Sequence, residues 1–241
     1  MWPKSRGLIL VGLLVLMFAP AYATTITTYS TLTDWQAATS SGYQTVDFEG
    51  LTAPGTSTYY NSGVSADGVQ FIGYTSSGAS SIQVIDTNAA WAQPWYNFGT
   101  GDALMQDMSR PNSGSPLPTI HIVLPTAITS LGMDLFTVSP SALSYSITVA
   151  GNPYSVPTNA NPNTAFWGIT SDTPITSVDL TLQGTTYNGG SHALLDNFRF
   201  GTATGGSDPE SAPEAGTYLL IGSGLIGLVL FRKRAKPEKS A

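Results

Sequence analysis

Short stretches that alternate apolar and polar residues recur through the middle of the chain and constrain its fold more than any other feature. In residues 143–149 the apolar side chains occupy every second position, and residues 120–124 and 178–182 share this period. A period of two places the apolar side chains on one face of a β-strand. Further strands are predicted at residues 44–48, 68–74, 81–85, 130–136, 165–169 and 193–200.

Turn-forming residues separate these segments. They include residues 151–153, 159–163, 172–174 and 188–190, which are rich in Gly, Asn, Asp and Pro. One short helix is predicted at residues 32–38, with Thr31 as its N-cap and Asp34 three residues later, as in a capping box. Short strands with frequent turns predict an all-β fold, a single β-sandwich or jelly roll over residues 24–201.

The charge distribution excludes nucleic acid as a partner. Charged residues make up 10% of the chain, whereas roughly 25% is usual for a soluble domain. Between the two termini the basic residues are Arg110 and Arg199, so the body of the protein is acidic. Affinity for a phosphate backbone depends on Lys and Arg. Cysteine is absent, which rules out thiol catalysis and Cys-based zinc sites.

The N-terminus has the three parts of a secretory signal peptide. Lys4 and Arg6 precede an apolar run at residues 7–18, and Ala21 and Ala23 give a small-x-small cleavage site. We therefore expect signal peptidase to remove residues 1–23. The alternative is an uncleaved membrane anchor, for which the apolar run is short.

The C-terminus combines an apolar segment with a basic end. Residues 218–231 are apolar and are followed directly by Arg232, Lys233 and Arg234. With the three residues before it, the segment predicts a transmembrane helix at residues 215–231. The basic residues are expected to stay in the cytoplasm, which leaves the upstream chain outside. Residues 202–211 form a polar, Gly-rich linker.

Residues 212–241 resemble the PEP-CTERM sorting signal, which is also labelled the ice-binding protein C-terminal domain. Pro213 and Glu214, the apolar segment and the basic cluster carry the likeness, although Ala215 stands where members usually have a second proline. The resemblance implies recognition of Pro213 and Glu214 by an exosortase, a membrane peptidase that releases or transfers the exported domain. The alternative is an ordinary C-terminal tail anchor.

The body also resembles the domains that commonly precede such tails. The likeness lies in residues 46–51, 168–175 and 193–198. It implies a carbohydrate-binding jelly roll in which an early Phe-Glu-x-Gly and a late Asp bracket a structural Ca²⁺. Asp196 shares the apolar phase of its predicted strand, and a buried carboxylate requires compensation. The hypothesis is that Glu49 and Asp196 bind Ca²⁺; the alternative is that backbone amides satisfy Asp196.

Candidate chemistry elsewhere points to binding rather than catalysis. His121 and His192 lack metal-binding spacing and are both predicted to face solvent. Spacing alone leaves a Ser-His-Asp triad open, but the G-x-S-x-G and S-x-x-K motifs are missing. We therefore predict a non-enzymatic protein. Three aromatic residues could instead stack on sugar rings, or plug one end of the sandwich: Trp91, Trp95 and Tyr96.

Together these features predict an exported component of the cell surface or extracellular matrix. The protein would be anchored in the cytoplasmic membrane by its C-terminal helix before processing, and would lie at the surface or outside the cell afterwards. The alternative is a glycan-binding module of an exopolysaccharide or biofilm system, with extracellular polysaccharide as its partner.

Overall fold

Thirteen strands and one short helix make up the part of the chain that the computed structural model describes, namely residues 25–75, 78–80, 82–90, 92, 101–106, 119–183 and 193–204. The helix is α1 (Leu32–Ala37). The strands are β1 (Ile26–Tyr29), β2 (Gln44–Val46), β3 (Ser57–Tyr60), β4 (Val64–Ala66), β5 (Val69–Thr75), β6 (Gly78–Ser80), β7 (Ile82–Asp86), β8 (Asp102–Gln106), β9 (Thr119–Phe136), β10 (Ser144–Val149), β11 (Asn152–Pro157), β12 (Ala165–Gln183) and β13 (Leu194–Gly201).

Two long strands, β9 and β12, bend and so belong to two layers. The pairing between them is interrupted by register shifts between Thr170 and Ser177. Pro125 of β9 and Pro174 of β12 lie exposed at the two bends. Proline lacks an amide N–H, so it is tolerated where ladder hydrogen bonding is interrupted. The turn predicted at residues 172–174 is therefore wrong in one respect, because the chain bends there without ending the strand.

Apart from β9 and β12, each strand belongs to only one of the two layers. The first layer runs β11-β10-β12-β9-β5, and β4 and β6 pair with β5. The second runs β1-β12-β9-β13-β8-β7-β3, and β2 pairs with β13. All of these pairings are antiparallel.

Aromatic rings connect the layers through the core. Phe71 of β5 has its ring centroid 5.0 Å from that of Phe48 and 5.7 Å from that of Phe198 on β13. Alternate residues of both layers join the same buried cluster, including Ile120, Ile122, Tyr145, Ile147, Val149, Leu131, Met133 and Leu135. Two sheets whose inner faces share one core form a β-sandwich. The predicted all-β fold is confirmed, and the described strands belong to one continuous sheet whose two layers share β9 and β12.

Helix α1 packs on the outer face of the second layer through Trp35, which is fully buried. Trp35 lies over Gly132 and Gly168, which are directly opposite one another on β9 and β12. The predicted cap is present: the Asp34 amide donates to Thr31 Oγ1 (3.2 Å), and that hydroxyl donates to the Asp34 carboxylate (2.6 Å). The helix ends at Ala37, one residue earlier than predicted.

Backbone amides form hydrogen bonds where the described chain enters and leaves the sandwich. The Thr25 amide donates to the Asp172 carboxylate (2.9 Å) just before β1. After β13, the Ser40 amide donates to the carbonyl of Thr202, and the Thr204 amide donates to that of Ala38 (2.8 Å each).

Within the described ranges, no helix has the length and apolar character needed to cross a bilayer. The predicted signal peptide, most of the linker, and the sorting signal lie outside the described residues.

Candidate functional site

A groove of about 530 Å³ lies at one side of the sandwich. It is lined by the end of β1, by β11, and by the start of β12. In the described part of the chain β1 pairs with β12 alone and β11 with β10 alone, so each is an edge strand of its layer. Both lie on the side of β12 that faces away from β9, so the groove follows the seam between the two sheets.

Among the described residues, four aromatic side chains line the groove: Tyr29, Tyr154, Phe166 and Trp167. Tyr154 projects from β11 towards Trp167 of β12, with ring centroids 5.9 Å apart and planes at 48°. Trp167 is almost buried at 5% exposure, whereas the other three are partly exposed. The Tyr29 hydroxyl lies 3.1 Å from that of Thr170, which fixes its ring. The groove therefore offers accessible ring surfaces, of which Tyr154 packs against the core.

The polar groups of the groove are hydroxyls and an amide. They are exposed and belong to Thr28, Ser30, Ser155, Asn159 and Thr164. The Asn159 side-chain amide donates to the Thr164 carbonyl, which connects the end of β11 with the start of β12. None of the described residues that line the groove carries a charge.

This combination suits a neutral, hydroxyl-rich ligand. Aromatic faces contact the C–H faces of a sugar ring, and nearby hydroxyl and amide groups can both donate to and accept from its hydroxyls. The volume lies within the range of about 300–1,000 Å³ usual for ligand pockets. The described lining holds no carboxylate or imidazole that could transfer a proton to a bound ligand.

The aromatic residues predicted from sequence lie elsewhere. Trp91, Trp95 and Tyr96 are outside the described residues, so their contact with glycan stays a prediction. Their neighbours Ala89 and Ala92 are buried against Phe136 and Leu194, in a second cluster that also contains Met105.

Asp196 is buried, as its phase in the strand predicted, with 1% of its surface exposed. Its carboxylate accepts hydrogen bonds from the backbone amide (2.6 Å) and side-chain amide (3.2 Å) of Asn197. Asn197 has a φ of 48°, in the left-handed region, and lies in a register shift of β13 against β9. Opposite Asp196 is Asp134, whose carboxylate lies 3.2 Å from the Arg199 guanidinium. The buried carboxylate thus receives local hydrogen bonds.

Glu49 accepts a hydrogen bond from the start of β8. Its carboxylate accepts a hydrogen bond from the Asp102 amide (3.0 Å), and the Asp102 carboxylate accepts one from the Gly50 amide (3.0 Å). Gly101 has a φ of 88°, and a Cβ on it would stand 1.9 Å from the Glu49 carboxylate, so only glycine allows this approach. Burial, and then the charge of Glu49, raise the pKa of Asp102.

The hydrogen bonds described for Glu49 and Asp196 thus run to different elements. Among the described residues, no group of three or more His, Asp or Glu side chains is placed to hold a metal ion. Ca²⁺ binding by Glu49 and Asp196 stays a prediction.

His121 is partly exposed, and its side chain contacts a carboxylate. Its Nδ1 lies 2.6 Å from the Asp179 carboxylate on the neighbouring strand, and about a third of its side chain is exposed (29%). The ring of Tyr74 packs edge-on against it at 6.0 Å.

The other predicted site residues of the two termini, and the second histidine, lie outside the described residues: Ala21, Ala23, His192, Pro213, Glu214, Arg232, Lys233 and Arg234.

No family model and no curated protein matches the chain. Among solved structures, it is similar to a mutant of the family 29 carbohydrate-binding module CBM29-2 complexed with mannohexaose, at 12% identity and a TM-score of 0.36, over 69% of this chain and 97% of that one. It is also similar to the K2 cleaved adhesin domain of Lys-gingipain, at 11% identity and a TM-score of 0.37, over 66% of this chain and 99% of that one. These scores are low, and the function is therefore inferred from the groove.

Proposed function

We propose that this protein is an exported, non-enzymatic surface protein that binds a glycan in the groove between β1 and β11. The observation that carries the proposal is the groove lining, in which Tyr29, Tyr154 and Phe166 present partly exposed rings beside uncharged hydroxyl and amide groups. Tyr154 packs against the core, Tyr29 contacts Thr170 and Phe166 contacts Trp35. Rings already held by such contacts lose little conformational entropy when a ligand stacks on them.

The position of the groove favours a polymeric ligand. Edge strands of both layers form its walls, so it lies along the side of the sandwich rather than deep between the sheets. A segment of polysaccharide can therefore contact several side chains along β1 and β11. Each contact is weak by itself, but together they provide affinity for a repeating chain.

The export route is proposed from the termini. Signal peptidase would cleave after Ala23, and the tail would hold the protein in the cytoplasmic membrane until an exosortase acts near Pro213 and Glu214. This order leaves the glycan-binding domain outside the cell throughout. A structural Ca²⁺ at Glu49 and Asp196 belongs to the same proposal and derives from the family resemblance.

The glycan-binding role is tested by affinity electrophoresis of the full chain in detergent, with a panel of polysaccharides in the gel. Tyr154→Ala is expected to weaken binding at least about tenfold, or about 1.4 kcal/mol, because a stacking ring is lost. Tyr154→Phe keeps the ring and should retain most of the affinity.

The matched control is Tyr59→Ala. Tyr59 is 52% exposed on β3, at the far edge of the second layer, so its removal should leave binding unchanged. Far-ultraviolet circular dichroism checks that each variant is folded. Equal binding by wild type and a folded Tyr154→Ala variant would reject the groove as the glycan site.

A further inference from the structure

We infer that the groove selects neutral polysaccharide and excludes chains that carry uronate, sulfate or phosphate groups. The inference rests on the proposed function and specifies its ligand. It follows from how the charges of the described residues are distributed around the groove and from which of them are already paired.

The domain has almost no cations to offer an anionic ligand. Residues 24–201 contain Arg110 and Arg199 as their Lys and Arg residues, while all the Asp and Glu residues of the chain except Asp208, Glu210, Glu214 and Glu238 lie in this range. The domain therefore carries a strong negative charge. At physiological ionic strength a field of this kind extends about 8 Å from each exposed charge.

Arg199, the arginine among the described residues, is already paired. The Arg199 guanidinium lies 5.9 Å from the ring centroid of Phe166, which lines the groove. However, it binds the Asp134 carboxylate at 3.2 Å and the Asn197 carbonyl at 2.9 Å, and its side chain is only 10% exposed. A uronate would have to displace Asp134 to bind it, which leaves that carboxylate without its cation.

An anion also lies on β12, the strand whose first residues line the groove. Asp172 accepts a hydrogen bond from the Thr25 amide next to β1, and this bond lowers the pKa of Asp172. The group therefore remains ionised at neutral pH. The other cationic candidate among the described residues, His121, is close to Asp179 in the first layer. From the described residues an anionic sugar in the groove would gain no counter-ion in exchange for the water it loses, which is unfavourable.

The test compares neutral with anionic polysaccharides in the same affinity gels. The neutral probes are a β-glucan, a mannan and a xylan; the anionic probes are polygalacturonate, alginate and hyaluronan. Wild type is expected to bind at least one neutral chain, with Tyr154→Ala weakening that binding, and to bind none of the anionic chains at low or high ionic strength.

A gain-of-function variant tests the physical cause. Asn159→Lys introduces a cation at an exposed position in the groove and is expected to strengthen polygalacturonate binding at least tenfold at low ionic strength. Gln70→Lys is the matched control, because it adds the same charge at an exposed site on β5, at the other side of the first layer. It should leave polygalacturonate binding at the wild-type level.

The outcomes separate the two proposals. Absence of binding to every polysaccharide, or neutral binding that Tyr154→Ala leaves intact, would overturn the proposed function. Binding of an anionic chain by wild type that is lost in Tyr154→Ala would overturn the neutral selectivity while supporting the groove. Neutral binding with no difference between the two lysine variants would overturn charge as the basis of selection.

Discussion

Asp102 shows at the residue scale how a buried carboxylate makes stability depend on pH. It is 6% exposed at the start of β8, and burial, followed by the charges of Glu49 and Asp86, raises its pKa from the ordinary value of 3.8. A raised pKa in the folded state means that folding favours the protonated form. The contribution of Asp102 to the stability of the fold is therefore fully present below pH 3.8 and is lost as the pH rises through the raised pKa.

Asp102→Asn should remove this loss of stability at higher pH. The side-chain oxygen of asparagine can still accept the hydrogen bond that the Gly50 amide donates, but the group cannot ionise. We expect the variant to gain stability relative to wild type as the pH is raised from below 3.8 to neutral. Urea unfolding at a series of pH values measures this difference.

The control for that series is Asp67→Asn, which removes a carboxylate at an exposed turn position. If the stability difference between Asp102→Asn and wild type stayed constant across the pH range, ionisation of Asp102 would not oppose folding. A fall in the variant's relative stability with rising pH would mean that ionisation of Asp102 favours the folded state, the opposite of the expected sign.

At the scale of elements, the docking of α1 depends on two glycines. A Cβ on Gly168 would lie 2.6 Å from Trp35 Cδ1, and one on Gly132 would lie 2.9 Å from the Phe166 ring. Gly168→Ala should therefore push Trp35 away from the sheet and lower the free energy of unfolding by about 1–3 kcal/mol. Chemical denaturation followed by tryptophan fluorescence measures the loss.

Gly42→Ala is the matched substitution, because nothing lies within 4 Å of its Cβ position. Restricting the unfolded chain at such an open site can stabilise a protein by about 0.4–1 kcal/mol. Equal stability of Gly168→Ala and Gly42→Ala would mean that Trp35 relaxes at no cost. The close packing of α1 would then not contribute to stability.

The strands were predictable to the extent that their side chains alternate. Residues 143–149, 120–124 and 178–182 have one face in the core, and their period of two is visible in sequence. Short strands such as β3, β4, β6 and β8 were missed, because three to five residues contain too few alternations to stand out. Each of the long strands β9 and β12 was predicted as separate pieces, since their bends resemble turns.

The groove could not be predicted, because its walls come from distant parts of the chain. Tyr29 lies on the first strand, whereas Tyr154 and Trp167 follow more than a hundred positions later and meet only through strand order. Burial of Asp196 was predictable, since it depends on phase within one strand. Its hydrogen bonds to Asn197 depend on the left-handed conformation of that residue. Asn adopts this conformation more readily than most residues, but the alternation of the strand predicts a regular extended backbone there.

At the scale of the whole molecule, the described contacts that build the sandwich are made between residues of one continuous stretch of the sequence. Residues 24–206 form one compact unit, and the last described contacts tie Thr202 and Thr204 to the segment after α1. The tail should therefore serve sorting rather than folding. Deletion of residues 207–241, with the signal peptide kept, is expected to release a folded domain into the medium. Its melting temperature should match that of the full chain in detergent.

Cell fractionation with intact-mass measurement tests this expectation. The full chain should be found in the membrane fraction before processing, and the truncated form should lack residues 1–23 and be soluble outside the membrane. Glu214→Ala, which alters the motif that the exosortase would recognise, should accumulate in the membrane at the mass of the unprocessed tail. A truncated form that kept its signal peptide inside the cell would contradict export. A truncated form that was exported but unfolded would show that the domain needs its tail, because the contacts made within residues 25–204 would then be insufficient to hold the sandwich together.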